Sequence, residues 1–170
     1  MSQLVGRPDR VAFEFMLTPV SEDHRKWLFG RLCLWAGGRR IGRYDEDCAM
    51  TVALATFPEI LAHAGRRSDP GLMRRPTDEA FTVLYDAVYG NDESRYGSRA
   101  QHFLVSSHGF DYFDGWTAFL IEDRLSGRLI WRSPDRLLHE VIVDAGEFDT
   151  VLGEFVSTLA RVPEDANPQR

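Results

Sequence analysis

The stretch that decides the fold is residues 27–44, which read WLFGRLCLWAGGRRIGRY. Residues 27–36 are apolar on both alternating faces, which predicts a strand that is central in its sheet or covered on both sides. Gly37 and Gly38 then predict a two-residue turn, because glycine accepts positive φ at both positions. Residues 39–44 follow as a short return strand. The stretch therefore predicts an antiparallel β-hairpin.

The segments on either side of this hairpin predict further strands and three helices. Alternation of apolar and polar residues predicts the other strands over 11–17, 102–106, 116–123, 128–132 and 137–143. Helical spacing predicts helices beginning near Met50, over 78–89 and over about 147–161, and we expect Pro58 to kink or restart the first. Tight turns between consecutive strands predict an α+β fold, with a largely antiparallel sheet of about six to seven strands and three helices segregated from it.

The composition is that of one globular domain. The chain has 170 residues, 44% of them hydrophobic, and a formal net charge of −6. We expect a single domain over residues 1–170, with a frayed tail from about residue 163 and Cys33 as a buried thiol. The sequence has neither a secretory signal nor an apolar run of the roughly 20 residues that span a bilayer, so we expect a cytoplasmic protein without a membrane partner. Net acidity disfavours nucleic acid as a partner.

The charge is unevenly distributed along the chain. Residues 1–43 hold eight basic and four acidic side chains, whereas residues 44–170 hold 12 basic and 22 acidic ones. Residues 65–76, predicted as a loop, carry four arginines: Arg66, Arg67, Arg74 and Arg75. Residues 100–123 contain no Lys or Arg but four acids: Asp111, Asp114, Glu122 and Asp123. Such asymmetry can steer a charged partner, and a solvated surface without a partner is the alternative.

A second acidic cluster stands between the hairpin and the first helix. Asp45, Glu46 and Asp47 directly precede the apolar segment CAMTVALATF. Acidic side chains at this position can cap the first N–H groups of a helix and complement its dipole. The alternative is that they contact a partner.

One segment concentrates side chains capable of chemistry. Residues 102–116, HFLVSSHGFDYFDGW, contain His102, His108, Asp111 and Asp114, which could together ligate a divalent metal ion. His108 with Asp111 could instead act as a general acid and base. Two other interpretations are a loop whose aromatic rings plug the end of the sheet, and a recognition loop of exposed rings and acids. No known catalytic or nucleotide-binding motif occurs in the chain, so we expect no catalytic residue, metal or cofactor.

The N-terminal third resembles a known family. GRPDRVAFEF at 6–15 and WLFGRLCLWAGGRRIGRYDE at 27–46 look like the start of proteins in immunity-protein family 42 of bacterial polymorphic toxin systems. The most specific pieces are WLFGR at 27–31, the glycine hairpin that ends at Ile41-Gly42, and the acidic exit at Asp45-Glu46. The resemblance covers about 45 residues well, and the rest of the chain matches only in outline.

The resemblance implies an inhibitor of one cognate toxin domain, encoded by the adjacent gene, rather than an enzyme. It carries over no catalytic residues. An acidic domain suits a basic toxin, so we expect occlusion of the toxin's active site through acidic and aromatic contacts. The candidate contacts are Asp111, Tyr112, Phe113, Asp114, Glu122 and Asp123, with Asp45, Glu46 and Asp47 as a second group. The alternatives are a small α+β adaptor or ligand-binding domain, or a metal-dependent hydrolase that uses residues 102–114.

Overall fold

The computed structural model describes residues 1–18, 28–90, 96–106 and 111–165. The predicted α+β class is confirmed, and the described strands form two antiparallel sheets rather than one. The strands are β1 (Gln3–Gly6), β2 (Val11–Thr18), β3 (Phe29–Ala36), β4 (Arg39–Ile41), β5 (Cys48–Ala49), β6 (Thr117–Glu122), β7 (Ser126–Arg132) and β8 (Leu138–Asp144). The helices are α1 (Met50–Leu61), α2 (Pro70–Met73), α3 (Thr77–Tyr89), α4 (Ala100–Phe103) and α5 (Glu147–Asp165). None of these helices is long and apolar enough to cross a membrane.

The predicted hairpin is the centre of the first sheet. Its strands run in the order β1-β2-β3-β4, and β5 also pairs with β3, which makes β3 central as expected. Gly37 and Gly38 form the turn with φ of +55° and +76°, in the left-handed region that favours glycine. Strand β1, which the sequence did not predict, pairs with β2 over four residues. Residue 27, where the predicted strand began, lies outside the described residues.

The two faces of β3 are buried in different ways. Leu32 and Leu34 point into the hydrophobic core, whereas Cys33 on the other face is covered by polar neighbours. Glu14 on β2 accepts a hydrogen bond from the indole N–H of Trp35 at 2.8 Å. Burial raises the pKa of the Cys33 thiol to about 12, so the predicted buried thiol is confirmed and stays protonated.

The second sheet, β6-β7-β8, is buried on both faces at β6 and β7. Leu120 and Leu129 face a core shared with the first sheet, α1 and α5. Phe119 and Ile130 face a separate core formed with α2, α3 and α4. Side chains of adjacent strand residues point to opposite faces, so a strand between two cores is buried at every position. All six residues of β6 are buried accordingly.

Helix α5 closes the first core, as its apolar spacing predicted. Phe155 stacks on Phe13 with ring centroids 4.9 Å apart and meets Phe57 edge-on at 5.5 Å. Edge-to-face and offset pairs of this kind each contribute about 0.5–1.5 kcal/mol beyond the area they bury. The helix continues to Asp165, past its predicted end, and residues 166–170 of the tail expected to fray lie outside the described residues.

Two local predictions were wrong. Residues 102–106 are not a strand: α4 ends at Phe103, and only Leu104 bridges to Phe119 on β6. The apolar run is buried because it crosses the edge of β6, not because it alternates along a strand. Residues 65–76 are not all loop, since Asp69 accepts a hydrogen bond from the Leu72 N–H at 2.9 Å and caps α2. Of the two effects expected of Pro58, a restart of the helix does not occur, since α1 runs continuously through it.

Arg67, predicted in an exposed arginine loop, is completely buried. Its guanidinium donates to both carboxylate oxygens of Asp149 on α5, at 2.7 and 2.8 Å. It also donates to the backbone oxygens of His102 on α4, at 2.9 Å, and of Ile60 on α1. A single side chain therefore joins three helices through charge-assisted hydrogen bonds.

Replacing Arg67 with methionine should lower the free energy of unfolding by roughly 3–5 kcal/mol, because Asp149 would be left as a buried charge without its partner. Urea denaturation measures the change. The control is Arg66→Met, which alters an exposed neighbour and should cost under about 0.5 kcal/mol. Adding Asp149→Leu to Arg67→Met should recover part of the loss. A loss below about 1 kcal/mol for Arg67→Met would show that the ion pair does not hold the helices together.

Candidate functional site

The structure brings together two of the predicted acidic segments. The backbone N–H of Arg43, just after β4, donates to the backbone oxygen of Tyr112 at 2.7 Å. The Arg43 guanidinium lies 3.8 Å from the carboxylate of Asp114, which is 76% exposed. Asp45 and Glu46 follow on the same chain segment, and both are exposed. We call the exposed carboxylates Asp45, Glu46 and Asp114 the acidic corner.

A glycine allows these two segments to approach. Gly42 has φ of +98°, and a Cβ atom there would lie 2.8 Å from the backbone oxygen of Tyr112 and 3.0 Å from the ring of Phe113. No other residue fits this space without moving the turn formed by Asp111–Phe113. The sequence identified Gly42 only as part of a family pattern. It did not identify Arg43, whose contacts join segments distant in sequence.

Tyr112 and Phe113 are not the exposed rings that a recognition loop requires. They are 1% and 3% exposed, and both belong to the main core. The Tyr112 hydroxyl lies 3.1 Å from the sulfur of Met50 at the start of α1. The expectation of exposure is therefore wrong for both rings, and the alternative that they plug the end of the sheet is the one observed. The side chain of Asp111 lies outside the described residues.

The acidic cluster before α1 does not cap that helix. The residue preceding α1 is Ala49, no side chain caps it, and no acid lies in its first turn. The two-residue strand β5 separates the acids from the helix instead. Asp47 accepts hydrogen bonds from the Thr18 hydroxyl at 2.6 Å and from Arg31 at 3.0 Å, and these contacts lower its pKa. Asp47 therefore stabilises the first sheet, and its two neighbours face solvent.

Glu122 and Asp123 lie at the opposite end of β6 from Asp114. Five residues of β6, or roughly 17 Å of strand, lie between Glu122 and the segment that carries Asp114. Glu122 is 8% exposed and accepts a hydrogen bond from the Gly146 N–H at 3.1 Å. Asp123 accepts hydrogen bonds from the Leu125 and Ser126 N–H groups, both at 2.8 Å, and these lower its pKa. Both carboxylates thus hold the β6–β7 turn and its surroundings.

The candidate metal ligands are not gathered into a site within the described part of the chain. No group of three or more His, Cys, Asp or Glu side chains that could hold a metal occurs there. His102 packs against His63, with ring centroids 4.6 Å apart, and Asp114 pairs with Arg43. His108 and the Asp111 side chain lie outside the described residues.

A family model described as Immunity protein 42 matches residues 1–158. The chain belongs to the Immunity protein 42 family. Its fold is similar to that in the crystal structure of CdiI from Burkholderia dolosa AUO158, with a TM-score of 0.71 and 20% sequence identity. The match covers 92% of this chain and 99% of that one. A comparison with curated proteins gives no match.

For an Immunity protein 42 family member, the relevant site is a surface that meets a toxin. The family match spans both segments of the acidic corner and both sheets. The exposed carboxylates rest on a rigid base, because buried rings at 112 and 113 fix the turn from which Asp114 projects. A preorganised surface loses less entropy on binding than a mobile one.

Gly42→Ala tests how tightly the two segments are held. It should lower the free energy of unfolding by about 1–3 kcal/mol, because a strained φ is added to a close approach. Gly38→Ala is the matched control, since φ is +76° there but no atom lies within 4 Å of a Cβ. Urea denaturation should rank Gly42→Ala as more costly, and amide hydrogen exchange at Arg43 should accelerate. Equal costs for the two variants would mean that the 111–113 turn moves aside freely.

The histidine pair predicts a loss of stability in mild acid. Burial lowers the pKa of His63, as do the nearby His102, Arg67 and Arg66, with Glu59 opposing them. Burial also lowers the pKa of His102, followed by Arg66, Arg99 and Arg67. Below the unfolded value of about 6.5 the unfolded chain therefore binds more protons than the folded one. The contribution of these two histidines to the free energy of unfolding is fully present above about pH 6.5. It decreases as the pH falls towards their lower pKa values in the folded protein.

Urea denaturation between about pH 7.5 and pH 5 measures this dependence. The double variant His63→Gln, His102→Gln should lose less stability over the same interval, because it lacks the two side chains whose pKa is lowered by folding. All other titratable groups are unchanged. An identical pH dependence in the wild type and the double variant would contradict the assignment.

Proposed function

We propose that this protein protects the cell that makes it, by binding one cognate toxin domain in the cytoplasm and covering the toxin's active site. The observation that carries the proposal is the match to the Immunity protein 42 family over residues 1–158. The toxin is encoded by the adjacent gene, and the inhibitor itself performs no catalysis. The fold shared with CdiI from Burkholderia dolosa supports the same role.

The acidic corner is the proposed contact with the toxin. Asp45, Glu46 and Asp114 are exposed, and only Asp114 has an ion-pair partner in the described structure. An exposed pair at 3.8 Å contributes little to stability, so these charges are available to a partner. Carboxylates on a rigid base attract a positively charged surface, and a substrate-binding cleft that takes an anion is such a surface.

Most of the other residues predicted to contact the toxin hold the acidic corner in place in this proposal. Tyr112 and Phe113 fix the turn that carries Asp114, and Asp47 anchors the segment that carries Asp45 and Glu46. Asp123 is a separate and weaker candidate, because its carboxylate already accepts two backbone hydrogen bonds. Glu122 would have to give up its bond to Gly146 in order to reach a toxin.

Charge reversal tests the proposed contact. The variant Asp45→Arg, Glu46→Arg, Asp114→Arg should weaken binding of the toxin domain encoded by the neighbouring gene by about tenfold or more. Most of the change should be a slower association rate that depends on ionic strength, because exposed charges steer the encounter. Surface plasmon resonance at two salt concentrations measures both rates, and growth of cells producing the toxin measures protection.

The control is the triple reversal Asp78→Arg, Asp86→Arg, Glu154→Arg, which places the same charge change on exposed positions of α3 and α5. It should slow association less than about threefold. Equal effects of the two variants would show that net charge matters and the acidic corner does not. A wild-type protein that neither binds nor protects against this toxin would overturn the proposed function itself.

A further inference from the structure

A cleft of about 540 Å³ opens between the two sheets beside the acidic corner. One wall is the β3–β4 hairpin and the other is the turn that joins β7 to β8. The residues that matter for binding are Arg39, Arg40, Trp116, Trp131, Asp135 and His139. The sequence gave no signal for this cleft, because its two walls are about 90 residues apart in the chain.

The cleft has an unbalanced positive charge. Arg39 and Arg40 are exposed, and no carboxylate of the described residues lies within ion-pair distance of either, although the Arg40 guanidinium lies over the Trp35 ring at 6.0 Å from its centroid. Asp135 offsets one of these two charges, since a hydrogen bond from the Ser133 hydroxyl lowers the pKa of its carboxyl and favours the ionised form, so the two arginines still outnumber the one carboxylate in the cleft. Arginine forms paired hydrogen bonds with carboxylates, so the chemistry missing from this cleft is an anion with planar oxygens.

Aromatic side chains give the cleft an apolar side as well. Trp131 forms a buried wall, and its ring lies 5.4 Å from that of His139. Trp116 is half-buried and borders the same space. Tryptophan and arginine are enriched in the hot spots of protein interfaces. The indole ring supplies buried contact area there, and the guanidinium supplies directed hydrogen bonds.

Both walls are fixed before any partner arrives. The backbone N–H groups of Gly37 and Gly38 donate to the oxygens of Arg10 and Pro8, at 2.9 and 2.8 Å, and these bonds hold the hairpin against the β1–β2 turn. On the other wall, the Ser133 N–H donates to Leu137 at 3.0 Å. A preformed cleft loses little entropy on binding.

The cleft is continuous with the acidic corner. Asp114, Gly115 and Trp116 are consecutive, and a Cβ on Gly115 would lie 3.3 Å from the Pro134 ring at the cleft wall. On the opposite side, Arg40 and Arg43 stand at the two ends of the same four-residue segment. A partner seated on the acidic corner would therefore also cover the cleft.

We propose that the cleft receives an acidic segment of the toxin domain, an Asp or Glu side chain with an apolar neighbour, the carboxylate binding Arg39 with Arg40 adding positive charge beside it, and the apolar group lying on Trp116. This inference rests on the proposed function, and it adds a second contact of opposite charge. The toxin surface then carries basic groups opposite Asp45, Glu46 and Asp114, and an acidic segment beside them.

The test compares toxin affinity of two paired charge reversals. The variant Arg39→Glu, Arg40→Glu should raise the Kd for the toxin domain about 30-fold or more, because carboxylates of the two proteins would face one another in the cleft. Most of the change should be faster dissociation. Arg74→Glu, Arg75→Glu is the matched control, being another adjacent pair of exposed arginines, and should change the Kd less than about threefold. Thermal unfolding of each variant checks that both retain the fold.

A cross-linking experiment identifies the segment directly. Leu137 lines the cleft and is 56% exposed, so Leu137→p-benzoylphenylalanine places a photoreactive group there without disturbing the core. Mass spectrometry of the complex should recover a toxin peptide containing Asp or Glu beside an apolar residue. A basic peptide would overturn the inference.

The outcomes separate this inference from the function on which it rests. A wild-type protein that does not bind the toxin overturns the proposed function. Binding by the wild type that is unaffected by Arg39→Glu, Arg40→Glu overturns the cleft inference and leaves the function standing. An equal loss in the control pair also overturns it, since general electrostatic attraction would then account for the effect.

Discussion

The buried guanidinium of Arg67 is the constraint on which the arrangement of the two sheets depends. No water reaches this group, so its N–H donors must find protein acceptors, and they find them on α1, α4 and α5. The backbone of the same residue accepts from the N–H of Glu122 at 2.9 Å, which pins the end of β6 to the layer of helices. One residue therefore fixes how the second sheet meets the helices that close the first core.

That constraint divides β6 into a structural end and an accessible end. At the Glu122 end, carboxylates and backbone groups are engaged by Arg67, Asp69 and Gly146. At the other end, the strand is preceded by the segment that carries Asp114 and borders the cleft. Near this second end, Asp45, Glu46, Arg39 and Arg40 are exposed and have no ion-pair partner among the described residues. A rigid strand buried on both faces thus supports the surface to which we assign binding.

The fold was predictable where periodicity was long or a turn was chemically specific. The spacing of α5 and the paired glycines at 37 and 38 each allowed only one interpretation, and both elements are observed. The strand prediction at 102–106 failed because a run of three apolar residues cannot distinguish a strand from a helix end that crosses a sheet edge. Arg67 was placed in a loop because nothing local shows that its partner lies 82 residues away.

The acidic corner was partly predictable, and its composition explains why. Acidic side chains are found by counting, so Asp45, Glu46 and Asp114 were identified as candidates. Counting residue types does not show which side chains are buried. Tyr112 and Phe113 belong to an acidic, aromatic segment that resembles a binding loop, but the close approach at Gly42 turns their rings into the core. Helix capping by residues 45–47 failed for a similar reason, since β5 intervenes through pairing with the distant β3.

The acidic corner lies beside a cleft lined by arginines, and this pairing of opposite charges can select a partner, which a net charge of −6 cannot do. Net acidity attracts every basic protein in the cell, including those that handle nucleic acids, and so cannot select one toxin. An acidic corner next to an arginine cleft attracts a partner only when that partner carries a basic patch and an acidic patch at matching positions. A shifted interface would bring like charges together. Residues 40–43 span the distance between the two patches, and their backbone is fixed by the hairpin and by the bond from Arg43 to Tyr112. In the proposed complex this rigid spacing, rather than the strength of either patch, sets which toxin is recognised.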